Sequence, residues 1–229
     1  MAHVPDDLGA PLVIIGAGGF GREIADMLDQ YDVSGLHGER AFLRGVVDEG
    51  DPDLGRLDRL QVRHLGGTAA LASLAGCVYV VPIADPGPRR RLAAMADEAG
   101  LVPATLIHRS ATLGRDVSVG GGTVIGAGTR ITTNVRLGRH VLINQNVTVG
   151  HDVVMADYVT VNPLAAVSGE VNLGPEVTIG TNASVIQGLR VGSRAVVGAG
   201  AVVTRAVDPG TTVVGVPARA VPRRRGADQ

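Results

Sequence analysis

A histidine followed directly by an aspartate is the part of this sequence best suited to acid–base chemistry. The pair is His151 and Asp152, and Asn144 stands seven residues before the histidine. Transfer of an acyl group from a thioester to an amine or hydroxyl requires a base of near-neutral pKa that takes the nucleophile's proton during attack. An imidazole meets this need, and a neighbouring carboxylate can raise its basicity or fix its tautomer. The pair predicts acyl transfer, with an idle turn histidine as the plainer alternative.

An amide such as that of Asn144 can orient an acceptor or join an internal hydrogen-bond ladder, and the sequence leaves both interpretations open.

A glycine-rich turn forms a second candidate site. The turn contains Gly16, Gly18 and Gly21 and follows the apolar run 12–15. It opens a segment, 22–30, in which the apolar residues have helical spacing. Backbone N–H groups at such a turn can hold phosphate, although a purely structural turn has the same pattern. Asp48 follows the next apolar run and can accept hydrogen bonds from a ribose or base. Its distance along the chain from the glycine turn is longer than in a strict NAD fingerprint, which favours a bound nucleotide other than NAD. Asp85 ends a further strand at the same sheet edge.

The elements that position these residues alternate between strand and helix in the first part of the chain. Strands are predicted at 12–15, 44–48 and 78–83, and helices at 22–30, 68–74 and 89–99. This alternation is typical of a small, Rossmann-like parallel α/β sheet.

A six-residue period dominates the rest of the chain. Seventeen consecutive hexads, from Ile107 to Val203, begin with an aliphatic residue or Met. A period of six fits neither a strand nor a helix, but it fits a triangular solenoid in which each hexad forms one side. The repeat resembles the hexapeptide repeat of left-handed parallel β-helices, in which three hexads make one coil. We therefore predict an N-terminal nucleotide-binding α/β domain (1–103), a left-handed β-helix (104–222) and a tail (223–229).

Composition and charge limit the kinds of molecule that this protein is expected to bind. The formal net charge is −1, and acidic and basic residues are intermixed, so no nucleic acid or anionic membrane is an expected partner. The single Cys77 fits a reducing compartment, and the sequence shows neither a leader segment nor a membrane span. We expect a cytoplasmic protein that acts on small molecules.

Several motifs together resemble one family. They are GAGGFG (16–21), IHRSA (107–111), NQNVTVGHD (144–152), DYVT (157–160), SG (168–169), GAG (198–200) and GVPA (215–218). This set resembles the sialic acid O-acetyltransferase and nucleotide-amino-sugar N-acetyltransferase family over nearly the whole chain. The resemblance implies a homotrimer with active sites between subunits, acetyl-CoA as co-substrate, and a UDP- or dTDP-linked amino sugar held by the N-terminal domain.

The resemblance also implies roles for single residues. His151 matches the family's base, Asp152 the acidic residue that increases its basicity, and Asn144 an acceptor-contacting asparagine. The nucleotide-contacting positions are Gly18, Gly19, Phe20, Asp48 and Asp85. The acetyl-CoA positions are Thr160, Gly169, Gly180, Thr181, Ala199, Gly215, Pro217 and Arg219.

Two positions depart from the family pattern. Phe20 and Thr160 each stand where the family usually has a histidine. The first change replaces a donor near the phosphates with an apolar ring. The second removes an imidazole near the thioester, although the Thr160 hydroxyl can still donate.

These observations favour direct transfer of acetyl to an amine of a nucleotide-linked amino sugar, with His151 as base and backbone N–H groups stabilising the oxyanion. O-acetylation of a sialic-acid-like sugar and a non-catalytic nucleotide-binding scaffold are the alternatives. Zinc carbonic anhydrases share the β-helix, but His108, His140 and His151 lack compact ligand spacing, so no metal is predicted.

Overall fold

The computed structural model describes residues 11–34 and 42–221. The predicted tail, 223–229, lies outside the described residues. None of the helices within these two stretches has the length and apolar character needed to cross a membrane.

The N-terminal part alternates strands and helices. Its strands, numbered in chain order, are β1 (Pro11–Ile15), β2 (Tyr31–Ser34), β3 (Phe42–Val47), β4 (Val78–Val80) and β5 (Val102–Pro103). Its helices are α1 (Gly19–Asp26), α2 (Leu54–Arg59) and α3 (Pro86–Glu98), with 3₁₀ turns at Leu28–Gln30 and Thr68–Ser73.

Four of these strands form a parallel sheet in the order β3-β1-β4-β5. The central strand β1 is apolar throughout, and its residues Leu12 to Ile15 are at most 1% exposed, as expected of a parallel strand covered on both faces. The predicted α/β alternation is confirmed. The sequence patterns do not predict α2, β5 or β2, and β2 does not belong to this sheet.

From residue 105 onward the chain forms a parallel β-solenoid of about six turns, which confirms the predicted left-handed β-helix. The first of its three sheets holds β2, β6 (Thr105–His108), β9 (Val124–Ile125), β12 (Leu142–Ile143), β15 (Thr160–Val161), β18 (Thr178–Ile179), β21 (Val196–Val197), β23 (Thr212–Val214) and β24 (Arg219–Ala220). The second holds β7 (Thr112–Leu113), β10 (Arg130–Ile131), β13 (Thr148–Val149), β16 (Ala166–Val167), β19 (Ser184–Val185) and β22 (Val202–Val203). The third holds β8 (Val117–Val119), β11 (Val135–Leu137), β14 (Val154–Met155), β17 (Asn172–Leu173) and β20 (Arg190–Val191).

The hexad pattern explains the solenoid core. From Ile125 to Val203, every first hexad residue is at most 4% exposed, and together these side chains fill the centre of the coils. The first three, Ile107, Leu113 and Val119, are partly buried at the N-terminal end of the core.

The turns between the sides follow one backbone pattern. A left-handed residue recurs in them, with φ of 58° at Asn134 and 61° at Asp152. The glycine that follows the first hexad residue has a different role, because a Cβ on Gly150 would collide with the backbone nitrogen of Gly169 in the next coil. Close approach between the backbones of neighbouring coils therefore requires a glycine at position 150.

The N-terminal part packs against the first sheet of the solenoid. Strand β2 pairs antiparallel with β6 and extends that sheet. The buried Arg89 of α3 donates from Nη1 to the carbonyl oxygens of Ile83 and Ala84, at 2.5 and 3.1 Å, and from Nη2 to that of Tyr158, at 2.5 Å. This guanidinium therefore ties α3 to the solenoid backbone.

A histidine is buried at the same junction. The His140 ring stacks on Tyr158 and Tyr79, with ring centroids 5.1 and 6.0 Å apart, and neither ring nitrogen has a hydrogen-bond partner in the described part of the chain. Desolvation, aided by Arg139, lowers the pKa of His140 from 6.5 to about 4. The folded protein therefore keeps this ring neutral, whereas the unfolded chain protonates it below its ordinary pKa.

We expect the folded state to lose stability through His140 as the pH falls from 6.5 toward 4, since only the unfolded chain gains a proton in that range. The loss is about 3 kcal/mol, from the linkage of pKa to unfolding free energy. Urea denaturation at a series of pH values measures it in the native protein and in His140→Asn, because asparagine tolerates the local φ of 53°. Parallel pH profiles for the two proteins would contradict the expectation.

Candidate active site

The predicted catalytic pair lies in the turn between β13 and β14, at the vertex where the second and third sheets meet. His151 Nδ1 is 2.7 Å from Asp152 Oδ2, and the two side chains are 48% and 44% exposed. The left-handed φ of 61° at Asp152 turns its side chain back toward the preceding histidine. Adjacent residues thus form a direct imidazole–carboxylate hydrogen bond.

The charge state of Asp152 decides the tautomer of His151. The pKa of Asp152 is lowered, first by its hydrogen bond with His151 and then by one from Asn134. An ionised carboxylate only accepts hydrogen bonds, so Nδ1 must carry the imidazole proton. The lone pair of a neutral ring is then on Nε2, which has no hydrogen-bond partner among the residues described here. The arrangement presents a basic nitrogen to an incoming nucleophile.

The His151 ring lies against the next coil. A Cβ built on Gly169 would be 2.6 Å from both Cε1 and Nε2 of the ring, so any side chain at this position would force the ring to shift. The Glu170 N–H donates to the His151 carbonyl at 2.8 Å and holds the two turns together. Gly169 therefore provides the flat surface on which the imidazole rests.

Asn144 does not meet His151 within one chain. It occupies the turn between β12 and β13, at the vertex of the first and second sheets, so one side of the triangle separates the two residues. Its neighbour Gln145 donates to Glu23 of α1 at 3.0 Å. The vertex that carries Asn144 therefore borders the N-terminal part.

Thr160 lies in β15, where its side chain contacts the N-terminal part of the same chain. Its side chain is fully buried, and its hydroxyl donates to the Ala84 carbonyl at 2.8 Å. The physical cause is that β15 belongs to the sheet that the N-terminal part covers. In this structure the hydroxyl helps to hold that contact and has no surface open to a ligand.

A cavity of about 310 Å³ lies at the carboxyl end of the parallel sheet, the edge at which the sequence predicts a nucleotide site. Asp48 lines it, and its carboxylate accepts from Ala17 N at 2.6 Å and Gly50 N at 2.8 Å. The aspartate thus fixes the glycine turn to the end of β3. The complete lining is Ile15, Gly16, Val47, Asp48, Glu49, Thr68, Ile83, Arg91, Leu92 and Met95.

Glu49 was missed by the sequence analysis. Its carboxylate accepts hydrogen bonds from the backbone nitrogen and the hydroxyl of Thr68, at 2.6 and 2.5 Å, and these bonds lower its pKa. The available signal was its place directly after Asp48 at the end of a strand. The cavity therefore carries two carboxylates and one guanidinium, that of Arg91.

Other predicted nucleotide contacts lie outside this lining. Gly18 and Gly19 are exposed at the start of α1, while Phe20 packs against the core of the N-terminal part. Asp85 caps α3 by accepting from Gly87 N at 2.9 Å. It lines a separate cavity of about 490 Å³, which includes Arg194 of the solenoid.

The predicted acetyl-CoA positions divide between two vertices and the C-terminal end. Gly169 shares the His151 vertex, whereas Gly180, Thr181 and Ala199 lie at the Asn144 vertex, two and three coils further on. At the end of the solenoid, Gly215 and Pro217 are exposed, and Arg219 lines a cavity of about 310 Å³. Within one chain these positions form no single groove.

Among the residues described, no cluster of three or more His, Cys, Asp or Glu side chains is arranged to hold a metal ion.

Comparisons with known proteins give structural matches over nearly the whole chain. No family model matches the sequence, and no curated protein sequence matches it. One solved structure is perosamine N-acetyltransferase from Caulobacter crescentus, in a variant with one histidine replaced by asparagine and in complex with CoA and GDP-perosamine. It is 29% identical, covers 93% of this chain and 97% of its own, and has a TM-score of 0.81.

Two further solved structures are similar. The acetyltransferase domain of PglB from Neisseria gonorrhoeae, in complex with acetyl coenzyme A, is 28% identical over 93% of this chain and 100% of its own, with a TM-score of 0.77. WeeI from Acinetobacter baumannii is 27% identical over 92% of this chain and 99% of its own, also with a TM-score of 0.77.

Proposed function

We propose that this chain, which has the fold and repeat of the hexapeptide-repeat, left-handed β-helix acyltransferases, is an acetyl-CoA-dependent N-acetyltransferase of a nucleotide-linked amino sugar. The observation that carries the proposal is the His151–Asp152 pair, whose Nε2 is left basic at an exposed vertex. The Caulobacter enzyme, with its CoA and GDP-perosamine, and the PglB domain, with its acetyl coenzyme A, support the same class of reaction.

The proposed chemistry is direct transfer. The amine nitrogen of the acceptor attacks the thioester carbonyl carbon while His151 Nε2 removes a proton from that nitrogen. The carbon–sulfur bond then breaks, the acetyl group stays on nitrogen as an amide, and the imidazolium returns its proton to the departing thiolate. Asp152 holds the ring and stabilises its charged form through the 2.7 Å hydrogen bond. Backbone N–H groups stabilise the oxyanion that forms between the two steps.

A second copy of the chain is needed to complete this site. The N-terminal part contacts the first sheet and its two vertices, through Thr160, Gln145 and Tyr158. His151 lies at the remaining vertex, the one that does not border the first sheet. A sugar held by the N-terminal cavity therefore lies on the far side of the coil from its own chain's base. We propose a homotrimer in which His151 of one copy approaches the Asn144 vertex of the next.

The N-terminal cavity is the proposed site for the nucleotide. Asp48 and Glu49 supply acceptors for the N–H and O–H groups of a base or ribose, and Arg91 supplies a positive charge. The exposed start of α1 at Gly18 and Gly19 offers backbone N–H groups for phosphate oxygens. The apolar Phe20 leaves phosphate binding to these backbone groups.

We expect purified protein to release CoA when it is given acetyl-CoA and a GDP-, UDP- or dTDP-linked sugar that carries a free amine. A thiol-reactive dye measures the released CoA, and mass spectrometry measures the acetylated sugar in equal amount. The control acceptor is the same nucleotide sugar with a hydroxyl in place of the amine.

Transfer to the hydroxyl sugar but not to the amine would replace the proposal with O-acetylation. Tight nucleotide binding without any transfer would favour the non-catalytic scaffold.

A further inference from the structure

The carboxylate of Asp152 is held from two sides by two different coils. Oδ2 bonds to the imidazole of His151, and Oδ1 accepts a hydrogen bond from the side-chain amide of Asn134, which lies 18 residues earlier in the chain. Three hexads make one coil, so Asn134 occupies the same place in the coil before. The two bonds together leave the carboxylate little freedom to rotate.

The backbone positions Asn134 for this contact. Asn134 has a left-handed φ of 58°, which asparagine adopts more readily than most residues. The Asp152 N–H donates to the carbonyl of Thr133 at 3.1 Å, which sets the distance between the two turns. The Asn134 N–H in turn donates to the Arg115 carbonyl at 3.1 Å. The amide is therefore directed at Asp152 by a backbone that is fixed on both sides.

The residues stacked at this vertex show why an amide suits the position. Asp116, one coil before Asn134, is paired with Arg136 at 3.1 Å, and Glu170, one coil after Asp152, accepts from Gln187 at 3.1 Å. Each acid of the stack thus has its own donor. Asn134 both supplies the donor for Asp152 and separates it from the carboxylate of Asp116.

We propose that Asn134 is a positioning residue of the catalytic pair: it orients the Asp152 carboxylate so that His151 keeps its proton on Nδ1 and its lone pair on Nε2. This inference rests on the proposed function of His151 as base. Without the amide, the carboxylate rotates, the imidazole proton distributes over both nitrogens, and a smaller fraction of the enzyme presents a basic Nε2.

Two variants and one control test the role. Asn134→Gly keeps the left-handed backbone and removes the amide, whereas Asn134→Asp keeps the shape and replaces the donor with an acceptor. The control is Asn182→Gly, because Asn182 has a φ of 57°, lies in a turn of the same kind, and donates from its backbone N–H to the Pro163 carbonyl at 3.0 Å. Each is measured for kcat and KM over a pH series, and for the ¹⁵N chemical shifts of the His151 ring.

We expect Asn134→Gly to lower kcat about tenfold with little change in either KM, by analogy with hydrogen-bond partners that orient metal-bound histidines, whose loss costs about 10- to 100-fold. Asn134→Asp is expected to lower kcat further at alkaline pH, and its kcat relative to the native protein at the same pH is expected to recover as the pH falls, because its introduced carboxyl can donate once it is protonated. The ring nitrogen shifts are expected to move toward a mixture of tautomers in both variants. Asn182→Gly is expected to match the native protein.

Native kcat and native ring shifts in both Asn134 variants would overturn the inference, as would a loss of kcat without any change in the shifts. The NMR comparison does not depend on turnover. If the native protein acetylates no sugar but the shifts still move, the proposed function fails while the positioning role of Asn134 stands.

Discussion

Replacement of His151 with alanine is expected to lower kcat by about 10²- to 10⁴-fold, the range that a positioned general base contributes. The variant loses the nitrogen that removes the acceptor's proton, so the neutral amine must attack the thioester without a protein base and lose its proton to solvent. Binding is expected to change little, because the proposed nucleotide cavity is built from residues of the N-terminal part. The measurement is steady-state kinetics with saturating acetyl-CoA and the best acceptor of the panel.

Gln187→Ala is the matched control for that experiment. Gln187 occupies the same turn position two coils further on, is exposed, and bonds to Glu170 at 3.1 Å. It is expected to keep native kcat. Added imidazole is expected to restore part of the activity of His151→Ala but not to accelerate the control. Near-native turnover of His151→Ala would remove His151 from the mechanism and leave the acyltransferase without an identified base.

A single methyl group at position 169 is expected to lower kcat about 10²-fold, although Gly169 makes no side-chain contact of its own. The Cβ of Gly169→Ala would lie 2.6 Å from the His151 ring atoms Cε1 and Nε2, so the ring must leave its place on the coil. A displacement of about 1 Å in a reacting group costs this order of rate. The φ of Gly169 is not in the left-handed region, so the backbone itself accepts alanine.

Gly121→Ala isolates the effect of the ring contact. Gly121 holds the same position within its hexad, at another vertex in an earlier coil, and its Cβ would meet Pro103, with Cγ nearest at an ordinary 3.4 Å. Both variants are expected to melt at similar temperatures, but only Gly169→Ala is expected to lose kcat. A rise in the KM for acetyl-CoA with unchanged kcat would instead give Gly169 the co-substrate role that the family resemblance implied.

The sequence predicted the architecture because few folds are compatible with a six-residue repeat of apolar side chains. Inward residues from Ile125 to Val203 recur without a slip, and an apolar side chain every six residues cannot be buried by a simple strand or helix. The predicted strands of the N-terminal sheet are also confirmed. The run 12–15 is apolar on both faces, which is typical of a strand covered on both sides. Strand β2 was not predicted because its partner, β6, lies 74 residues away in the solenoid. A local sequence pattern does not indicate pairing between segments so far apart.

The sequence by itself identified the proposed catalytic pair, since His151 and Asp152 are adjacent and need only a local turn to form their hydrogen bond. Only the tertiary structure decided what surrounds them. Stacking of coils brought Asn134 to one side of the pair and Gly169 to the other, and docking of the N-terminal part buried Thr160 against Ala84. The physical reason is that a six-residue period specifies which side chains point inward or lie in turns. Contacts between coils and between domains depend on long-range packing, which that period does not encode.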